Sequence, residues 1–303
     1  MRTILISALL LVVTATLSAQ VSVLAIDKLP MARGDWNAQR FSPDGTKLYL
    51  TTHSHDGIWE YQIPTRALRQ ITAERGVGYE FNVSPDGRKI AFRRQVRAQG
   101  RLVRHEVVTR DLKSGAARVV SSGKDLSAPQ FSQKGVAYAA AGEKIVNASA
   151  LGPDDVGVLG IENRRIVLQR NGKKVLLDPL GNGSYIWPSL SPDKTRILAH
   201  DMTIGTFVCD LEGKILARLG RCNAPVWTRD GRWVVYMNDT DDGHRLLSSD
   251  IYCVSADGTV RVRLTDMKEK MVMYPQCSPV DDRIVCSTPD GQVFVITYKE
   301  EGQ

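Results

Sequence analysis

The amino-acid sequence predicts an all-β fold, a six-bladed β-propeller, and three observations lead to this prediction. A short phrase recurs six times, as FSPDGTKLYL from Phe41, VSPDGRKIAF from Val83, FSQKGVAYAA from Phe131, LSPDKTRILA from Leu190, WTRDGRWVVY from Trp227 and CSPVDDRIVC from Cys277. The copies are 37 to 59 residues apart, and periods of this length are typical of propeller blades. Between the copies lie short runs of β-branched and aromatic residues bounded by Gly, Asp and Pro, whereas amphipathic helical patterns are hard to find.

The amino-terminal end predicts a signal peptide over residues 1–19. Arg2 is followed by the apolar run ILISALLLVV and then by small residues that end near Ala19. The run is shorter than the roughly 20 apolar residues that a membrane span needs, and an uncleaved anchor is the alternative. No later segment is long and apolar enough to cross a bilayer. We therefore expect a periplasmic or extracellular protein without a transmembrane anchor.

Residues 20–303 are predicted to form a single propeller domain, and the first repeat shows how a blade is built. Its four strands are WNAQRFS, KLYLTTH, IWEYQI and ALRQITA. The Pro-Asp-Gly element is the turn between the first two: Pro43 fixes φ, Asp44 can bond its own backbone, and Gly45 accepts a positive φ. The repeated phrase is therefore turn chemistry and not a catalytic signature.

The longest interval, from Ser132 to Ser191, contains an additional hairpin. The segment RNGKK predicts a turn between the runs RRIVLQ and KKVLLD. We interpret these runs as extra or extended outer strands of the third and fourth blades, and a seventh, degenerate blade is the alternative.

The two ends of the mature chain are predicted to close the ring. The last repeat supplies three strands, YPQCS, RIVCST and QVFVITY, and lacks a fourth. The apolar segment that begins at Val21 precedes the first blade and has no partner of its own. We predict that it pairs with the last blade as its outer strand, so that no open sheet edge remains.

Charge and cysteine content exclude several classes of site. The formal net charge is +7, and the only dense basic run, RRQVRAQGRLVRH from Arg93, favours a solvated hairpin over a polyanion site because it lacks aromatic interleaving and a nucleic-acid motif. We therefore expect no nucleic-acid partner. The five cysteines match no zinc site. Buried thiols are favoured for them, and a Cys277–Cys286 disulfide is the alternative.

The repeats FSPDGTKLYL, VSPDGRKIAF and LSPDKTRILA, together with SSDIYCVSADGTVRVRLTD, resemble those of TolB-type six-bladed propellers, which carry WD40-like repeats. The resemblance covers about residues 30 to 298. It implies the propeller fold, and it implies function only broadly, because such repeats occur in periplasmic protein-binding subunits, in peptidase propeller domains and in some sugar lyases. A TolB subunit also has a small α/β domain before its propeller, and we expect this chain to lack it.

The loops between the second and third strands of the blades concentrate histidine and aspartate. Four of the five histidines fall in them: His53, His55, His200 and His244. Because imidazole and carboxylate suit zinc, manganese and related ions, these four are candidate metal ligands, and a divalent metal ion is a candidate cofactor. A polar recognition rim that includes Asp201 and Asp239 and plain loop chemistry are the alternatives.

Aromatic residues are predicted near the channel entrance, on the same face. Trp36, Tyr79, Trp187 and Tyr274 are the candidates for a ligand-binding rim, since exposed aromatics around a polar mouth would suit a peptide or a sugar. Several aromatics could instead pack between blades. Trp187 and Tyr274, each directly before a proline, are the better candidates for exposure.

Signatures of hydrolases, phosphate loops, dinucleotide folds and HExxH metalloproteases are missing, so no catalytic residue is assigned. The sequence predicts a monomeric binding or scaffolding module whose protein or oligosaccharide ligand docks on the His/Asp face. A metal-assisted carbohydrate lyase or hydrolase with its site at the same mouth is the alternative.

Overall fold

A computed structural model describes residues 20–301, and nearly all of its regular structure is β-strand. The first thirteen strands are β1 (Gln20–Lys28), β2 (Trp36–Phe41), β3 (Lys47–Thr52), β4 (Ile58–Gln62), β5 (Leu68–Thr72), β6 (Phe81–Val83), β7 (Lys89–Ala98), β8 (Arg101–Asp111), β9 (Ala117–Gly123), β10 (Gln130–Phe131), β11 (Ala137–Ala141), β12 (Lys144–Val146) and β13 (Gly157–Glu162). A single 3-10 turn (Ala148–Ala150) lies between the last two of these. The others are β14 (Arg165–Arg170), β15 (Lys173–Leu177), β16 (Tyr185–Leu190), β17 (Arg196–Asp201), β18 (Gly205–Asp210), β19 (Ile215–Gly220), β20 (Asn223–Trp227), β21 (Trp233–Asp241), β22 (Leu246–Ser255), β23 (Arg261–Arg263), β24 (Met273–Cys277), β25 (Arg283–Ser287) and β26 (Val293–Glu301).

The strands form seven antiparallel sheets, which are the blades of a β-propeller. In chain order the blades are β2–β5, β6–β9, β10–β12, β13–β15, β16–β19, β20–β23 and β24–β26 with β1. The third and fourth blades have three strands each, and the other five have four. The all-β propeller prediction is thus confirmed.

The predicted number of six blades is wrong, and the difference lies in the longest repeat interval. The hairpin around Asn171 does form, between β14 and β15, but these strands pair with β13 as a separate fourth blade. Two three-stranded blades therefore occupy the interval from Ser132 to Ser191. The fourth blade escaped the repeat search because Asn163 and Arg164, both at positive φ, form a tight two-residue turn in place of the Ser-Pro-Asp-Gly element.

The ring closes through the amino-terminal strand, as predicted. β1 pairs antiparallel with β26, with Val21 opposite Glu300 and Lys28 opposite Phe294. Val21 is buried in the cluster that joins the sixth and seventh blades. Because β1 covers the outer edge of β26, the last blade gains a fourth strand from the opposite end of the described chain.

The repeated Ser/Thr-x-Asp-Gly phrase forms a defined turn between the first and second strands of a blade. Ser42 Oγ donates to Asp44 Oδ1 (2.5 Å) and accepts from the Lys47 N–H (2.9 Å), while Gly45 adopts φ of 68°. The same bonds recur in the second blade, at Ser84, and in the fifth, at Ser191. The repeat is conserved within the chain because its hydroxyl and carboxylate satisfy backbone donors of the turn.

The seven innermost strands surround the central axis, and their order fixes which side chains can meet there. Direct contacts join β6 to β10, and they continue in sequence through β13, β16, β20, β24 and β2. Side chains between neighbouring blades form the core, in which Tyr49, Phe92, Phe207 and Tyr236 are almost completely buried. The face of the ring with the loops after the second and fourth strands carries every predicted site residue; we call it the loop face.

The cysteines are all free thiols in the described part of the chain, so the disulfide alternative is wrong. Cys209, Cys253 and Cys286 are buried, and desolvation raises the pKa of each to about 12, which keeps the thiols protonated and unreactive. No helix within residues 20–301 is long and apolar enough to cross a membrane. The predicted signal peptide, residues 1–19, lies outside the described residues.

Candidate ligand-binding face

The innermost strands of the fifth, sixth and seventh blades share a backbone distortion on the loop face. Trp187, Ala224 and Tyr274 have φ of 51°, 44° and 52°, and each directly precedes a proline. Each also lies at a break in the register with the second strand, and each stands four residues before the Ser or Thr of its repeat. Non-glycine residues with positive φ are uncommon and cost free energy. Three equivalent bulges therefore indicate a feature built into this side of the ring.

The bulges leave two large aromatic side chains exposed on strands that otherwise face the axis. Trp187 and Tyr274 are each 40% exposed. Their exposure agrees with the prediction from sequence, and Ala224 leaves an open position between them. The other two aromatic candidates have aromatic partners of their own: Trp36 packs edge-on against Trp59 (5.3 Å between ring centroids), and Tyr79, 64% exposed, lies edge-on to His55 (5.1 Å).

His200 is a buried support for the exposed tryptophan. Its ring lies 5.5 Å from that of Trp187, and its Nδ1 is 2.8 Å from Thr206 Oγ1 and 3.2 Å from the Cys222 carbonyl oxygen. Desolvation lowers the pKa of His200, so the ring is neutral at pH 7. The structure therefore places this histidine under the rim and not at its surface.

The two rim aspartates have their own intramolecular partners. Asp201 accepts backbone N–H bonds from Ser184 (2.7 Å), Thr203 and Ile204. Burial alone would raise the pKa of its carboxyl, but these donors outweigh it and the pKa is lowered. Asp239 accepts from Asn223 Nδ2 at 2.5 Å, next to the bulge at Ala224. Both carboxylates hold loops around the fifth and sixth blades.

The remaining histidines are dispersed around the loop face. His53 pairs with Asp35, and His244 lies exposed at the tip of the β21–β22 hairpin. His55 packs against Tyr79, its Nδ1 is buried without a hydrogen-bond partner among the described residues, and desolvation lowers its pKa. The structure thus does not bring the four predicted ligands together.

The described side chains do not form a site for a divalent metal ion either. Throughout residues 20–301, no group of three or more His, Cys, Asp or Glu side chains is placed to hold a metal ion. Structural and catalytic sites of such ions use at least three protein donors. The His, Cys, Asp and Glu side chains of the described residues therefore do not fit a divalent metal ion. A metal role for His53, His55, His200 and His244 stays a prediction.

A ring of polar residues on the innermost strands was missed from the sequence. The residues two positions before the Ser or Thr of each repeat are Arg40, Asn82, Gln130, Ser189, Val226 and Gln276. We call these six the axial belt. All are partly exposed although they belong to the innermost strands, which in a propeller surround a central channel. The repeat alignment contained this signal, because five of the six are polar at one fixed offset.

A hydrogen-bond chain links the belt across the first four blades. Arg40 Nη1 donates to Asn82 Oδ1 (2.7 Å), Asn82 Nδ2 donates to Gln130 Oε1 (2.6 Å), and Gln130 Nε2 donates to the Val158 carbonyl oxygen (3.4 Å). The Arg40 guanidinium also lies over the Phe81 ring, 5.2 Å from its centroid. One side of the channel is thus polar and cross-linked, and the other carries the bulged aromatics.

The basic run from Arg93 forms the end of the β7–β8 hairpin and is largely neutralised. Arg94 and Arg104 both bind the buried carboxylate of Glu106 (2.8 and 2.9 Å), and Arg93 pairs with Glu80 at 2.7 Å. Among its five arginines only Arg97 and Arg101 have no carboxylate partner in the described structure. These internal pairs favour the solvated hairpin over a polyanion site, as the sequence suggested.

Comparison with solved structures identifies similar folds. No protein-family model and no curated protein matches the chain. The oligogalacturonate lyase VPA0088 from Vibrio parahaemolyticus is similar at 11% identity and a TM-score of 0.53, with 92% of this chain and 98% of that chain covered. An oligogalacturonate lyase in complex with manganese has 14% identity, a TM-score of 0.52 and coverage of 93% and 98%. The Cps50 (Swd1) β-propeller domain from Myceliophteria thermophila has 10% identity, a TM-score of 0.51 and coverage of 92% and 99%.

These likenesses show the propeller architecture and nothing finer, because all three identities are far below the level at which relatives share function. TolB from Acinetobacter baumannii also matches, at 14% identity and a TM-score of 0.46 over 87% of this chain and 64% of that chain. The seven sheets confirm the propeller fold that the resemblance to TolB-type repeats implied, whereas the six blades that it implied are wrong.

Proposed function

We propose that this protein is an exported propeller that works as a binding module for a protein or oligosaccharide ligand, which docks on the loop face at the channel mouth. The observation that carries the proposal is the repeated bulge before proline, which exposes Trp187 and Tyr274 on the innermost strands. Backbone strain repeated at three equivalent positions is retained when the exposed side chains have a use.

The physical chemistry of the mouth favours binding over metal-assisted catalysis. Exposed aromatic rings supply contact area at low entropic cost, and they dominate the energetics of peptide and sugar recognition. The histidines that a metal-assisted lyase or hydrolase would need are dispersed over the loop face of the described structure, and two of them, His53 and His200, have hydrogen-bond partners of their own. The lyase likenesses support the fold alone, and within residues 20–301 the catalytic alternative lacks a metal-binding donor set.

Export and a monomeric state belong to the same proposal. Export rests on Arg2, the apolar run after it and the small residues near Ala19. A chain beginning at Gln20 should then be found in the periplasm or outside the cell, which fractionation and amino-terminal sequencing would test.

The binding proposal can be tested with arrays of peptides and oligosaccharides, followed by titration of the best ligand. We expect Trp187→Ala and Tyr274→Ala each to weaken its affinity by about 30-fold, as for central aromatic anchors. Val280→Ala is the matched control, because Val280 is 48% exposed in the same blade as Tyr274 but on the opposite face. Equal affinity in all three variants would refute the assignment of the mouth.

A further inference from the structure

Arg40 is the single charged residue of the axial belt, and no carboxylate in residues 20–301 pairs with it. Its Nη1 binds a neutral amide, Asn82, and its Nε is buried without any hydrogen-bond partner. Its Nη2 makes no side-chain or backbone hydrogen bond among the described residues. Among the other partly buried arginines, Arg94 has an acidic partner in Glu106, whereas Arg110 donates to the Ile71 carbonyl oxygen and, like Arg40, has a buried Nε without a hydrogen-bond partner in the described structure.

Burial of the Arg40 guanidinium carries a cost that its hydrogen bond to Asn82 and its contact with the Phe81 ring offset only in part. Desolvation lowers the pKa of Arg40 to about 10, and the group still remains charged at neutral pH. Removing an ion from water is expensive unless an opposite charge or full hydrogen bonding replaces the lost hydration. The belt around Arg40 supplies amide groups and one hydroxyl but no negative charge.

The hydrogen-bond chain does not by itself require a positive charge. Asn82 Oδ1 would accept equally from the amide of a glutamine at position 40, which would leave no desolvated ion behind. The guanidinium has instead two features that an amide lacks: a permanent charge and a planar fork of donors that matches a carboxylate. Its Nη2 remains available for such a partner.

We propose that the central channel binds a small carboxylate ligand whose carboxylate pairs with Arg40 and whose ring or apolar part reaches Trp187 or Tyr274. The aromatic positions stand two residues further toward the loop face than the belt, which corresponds to roughly 7 Å along a strand. A ligand of this class therefore has to span at least this rise, in addition to the distance across the channel, between its carboxylate and its apolar part. This inference rests on the proposed function and names the ligand class of the same mouth.

The test uses the full mature chain and the probes benzoate and cyclohexanecarboxylate, with benzamide as the neutral counterpart, at constant ionic strength. Titration calorimetry and thermal unfolding should show binding of both carboxylates and at least tenfold weaker binding of the amide. Arg40→Gln should reduce carboxylate affinity by roughly 10- to 100-fold, the loss expected for a charge-assisted hydrogen bond. Arg97→Gln, on the exposed β7–β8 hairpin, is the matched control and should bind like the wild type.

Asn82→Asp is the second variant, and it keeps the arginine. It places a carboxylate at the position of Asn82 Oδ1, 2.7 Å from the Arg40 guanidinium, so that the charge is satisfied internally. We expect a thermal midpoint at or above that of the wild type and loss of carboxylate binding. A purely structural role for Arg40 predicts instead that Arg40→Gln unfolds at lower temperature and that no probe changes any midpoint.

The inference is overturned if the wild type binds neither carboxylate, if benzamide binds equally well, or if Asn82→Asp keeps the wild-type affinity. Such a result leaves the proposed function standing as long as Trp187→Ala still weakens binding of the ligand found on the arrays. If Trp187→Ala leaves the affinity for the array ligand unchanged while Arg40→Gln abolishes carboxylate binding, the carboxylate site in the channel is supported. The proposal that Trp187 forms part of the ligand-binding mouth is then wrong.

Discussion

The two sides of the channel are built from the same repeat and yet differ in every property that matters for binding. On the first to third blades, the belt residues Arg40, Asn82 and Gln130 are hydrogen-bonded to one another, and the positions four before the Ser or Thr have no positive φ. On the fifth to seventh blades, those positions are bulged at positive φ and carry Trp187, Ala224 and Tyr274, and no hydrogen-bond chain links the belt residues in the described structure.

This difference shows how a propeller obtains function without changing its frame. The Ser/Thr-x-Asp turn holds the end of the innermost strand in the same way on both sides, as at Ser42 and Ser191. Substitutions two and four residues before the turn then alter the channel wall and leave the blade intact. Polar cross-links rigidify one wall, and a proline-associated bulge exposes rings on the other.

The largest effect on stability should follow from a substitution of Asn82, the middle residue of the hydrogen-bond chain on the polar side. Asn82→Leu removes the acceptor of Arg40 and the donor to Gln130, so that a desolvated charge and an amide both lose their partners. We expect the free energy of unfolding to fall by about 3 kcal/mol in denaturant titrations. Gln276→Leu is the control, because this belt residue on the aromatic side makes no side-chain hydrogen bond within residues 20–301. Equal losses of unfolding free energy in the two variants would show that the hydrogen bonds from Arg40 through Asn82 to Gln130 contribute nothing to stability.

On the aromatic side of the channel, we expect an effect of intermediate size on the pH dependence of the free energy of unfolding. Desolvation lowers the pKa of His200 below the value of about 6.5 in the unfolded chain, so the unfolded state binds more protons at acidic pH. The stabilisation that the neutral, buried His200 contributes to the free energy of unfolding is therefore complete above pH 6.5. It is lost as the pH falls below that value, by at most about 1.4 kcal/mol per pH unit.

The measurement is the free energy of unfolding between pH 7.5 and 5.5, in the wild type and in His200→Gln. His55 contributes with the same sign, since desolvation lowers its pKa too, so the difference between the two proteins isolates His200. We expect the slope to be smaller in His200→Gln and unchanged in His244→Gln, which alters an exposed hairpin tip. Parallel curves for His200→Gln and the wild type would contradict the buried, neutral assignment.

The sequence predicted the local chemistry of this molecule better than its count of blades. The turn at Ser42 and the exposure of Trp187 and Tyr274 follow from residue types at fixed offsets, which local sterics decide. The closing strand from Val21 was predicted differently, from an apolar segment without a partner and a last repeat without a fourth strand. The fourth blade carries none of those residues at its turn, because Asn163 and Arg164 supply the positive φ instead. Its existence depends on which strands pair, and pairing is a property of the whole ring.

The site was predicted only in part, for a related reason. Loop histidines suggested a metal, but whether four loops converge depends on their distance from the axis, which the repeat does not encode. The belt of Arg40, Asn82 and Gln130 depends on contacts between blades that are more than 40 residues apart in the chain. Its positions could have been read from the aligned repeats, whereas the hydrogen bonds between them could not.

The smallest effect is also the sharpest test, because it should have opposite signs on the two sides. Ala224 and Ala38 occupy the same repeat position, but only Ala224 has a positive φ, 44°. Glycine adopts positive φ without the steric cost that an L-residue pays, so Ala224→Gly should raise the free energy of unfolding by about 0.5 kcal/mol. Ala38→Gly, at a buried position whose φ is not positive, should lower it by about 0.5 to 1 kcal/mol because glycine loses more entropy on folding. Chemical denaturation of both variants under one set of conditions gives the two signs directly. A loss of stability in both would mean that the bulge stores no strain, and the argument that exposed rings on this side are retained for binding would lose its physical basis.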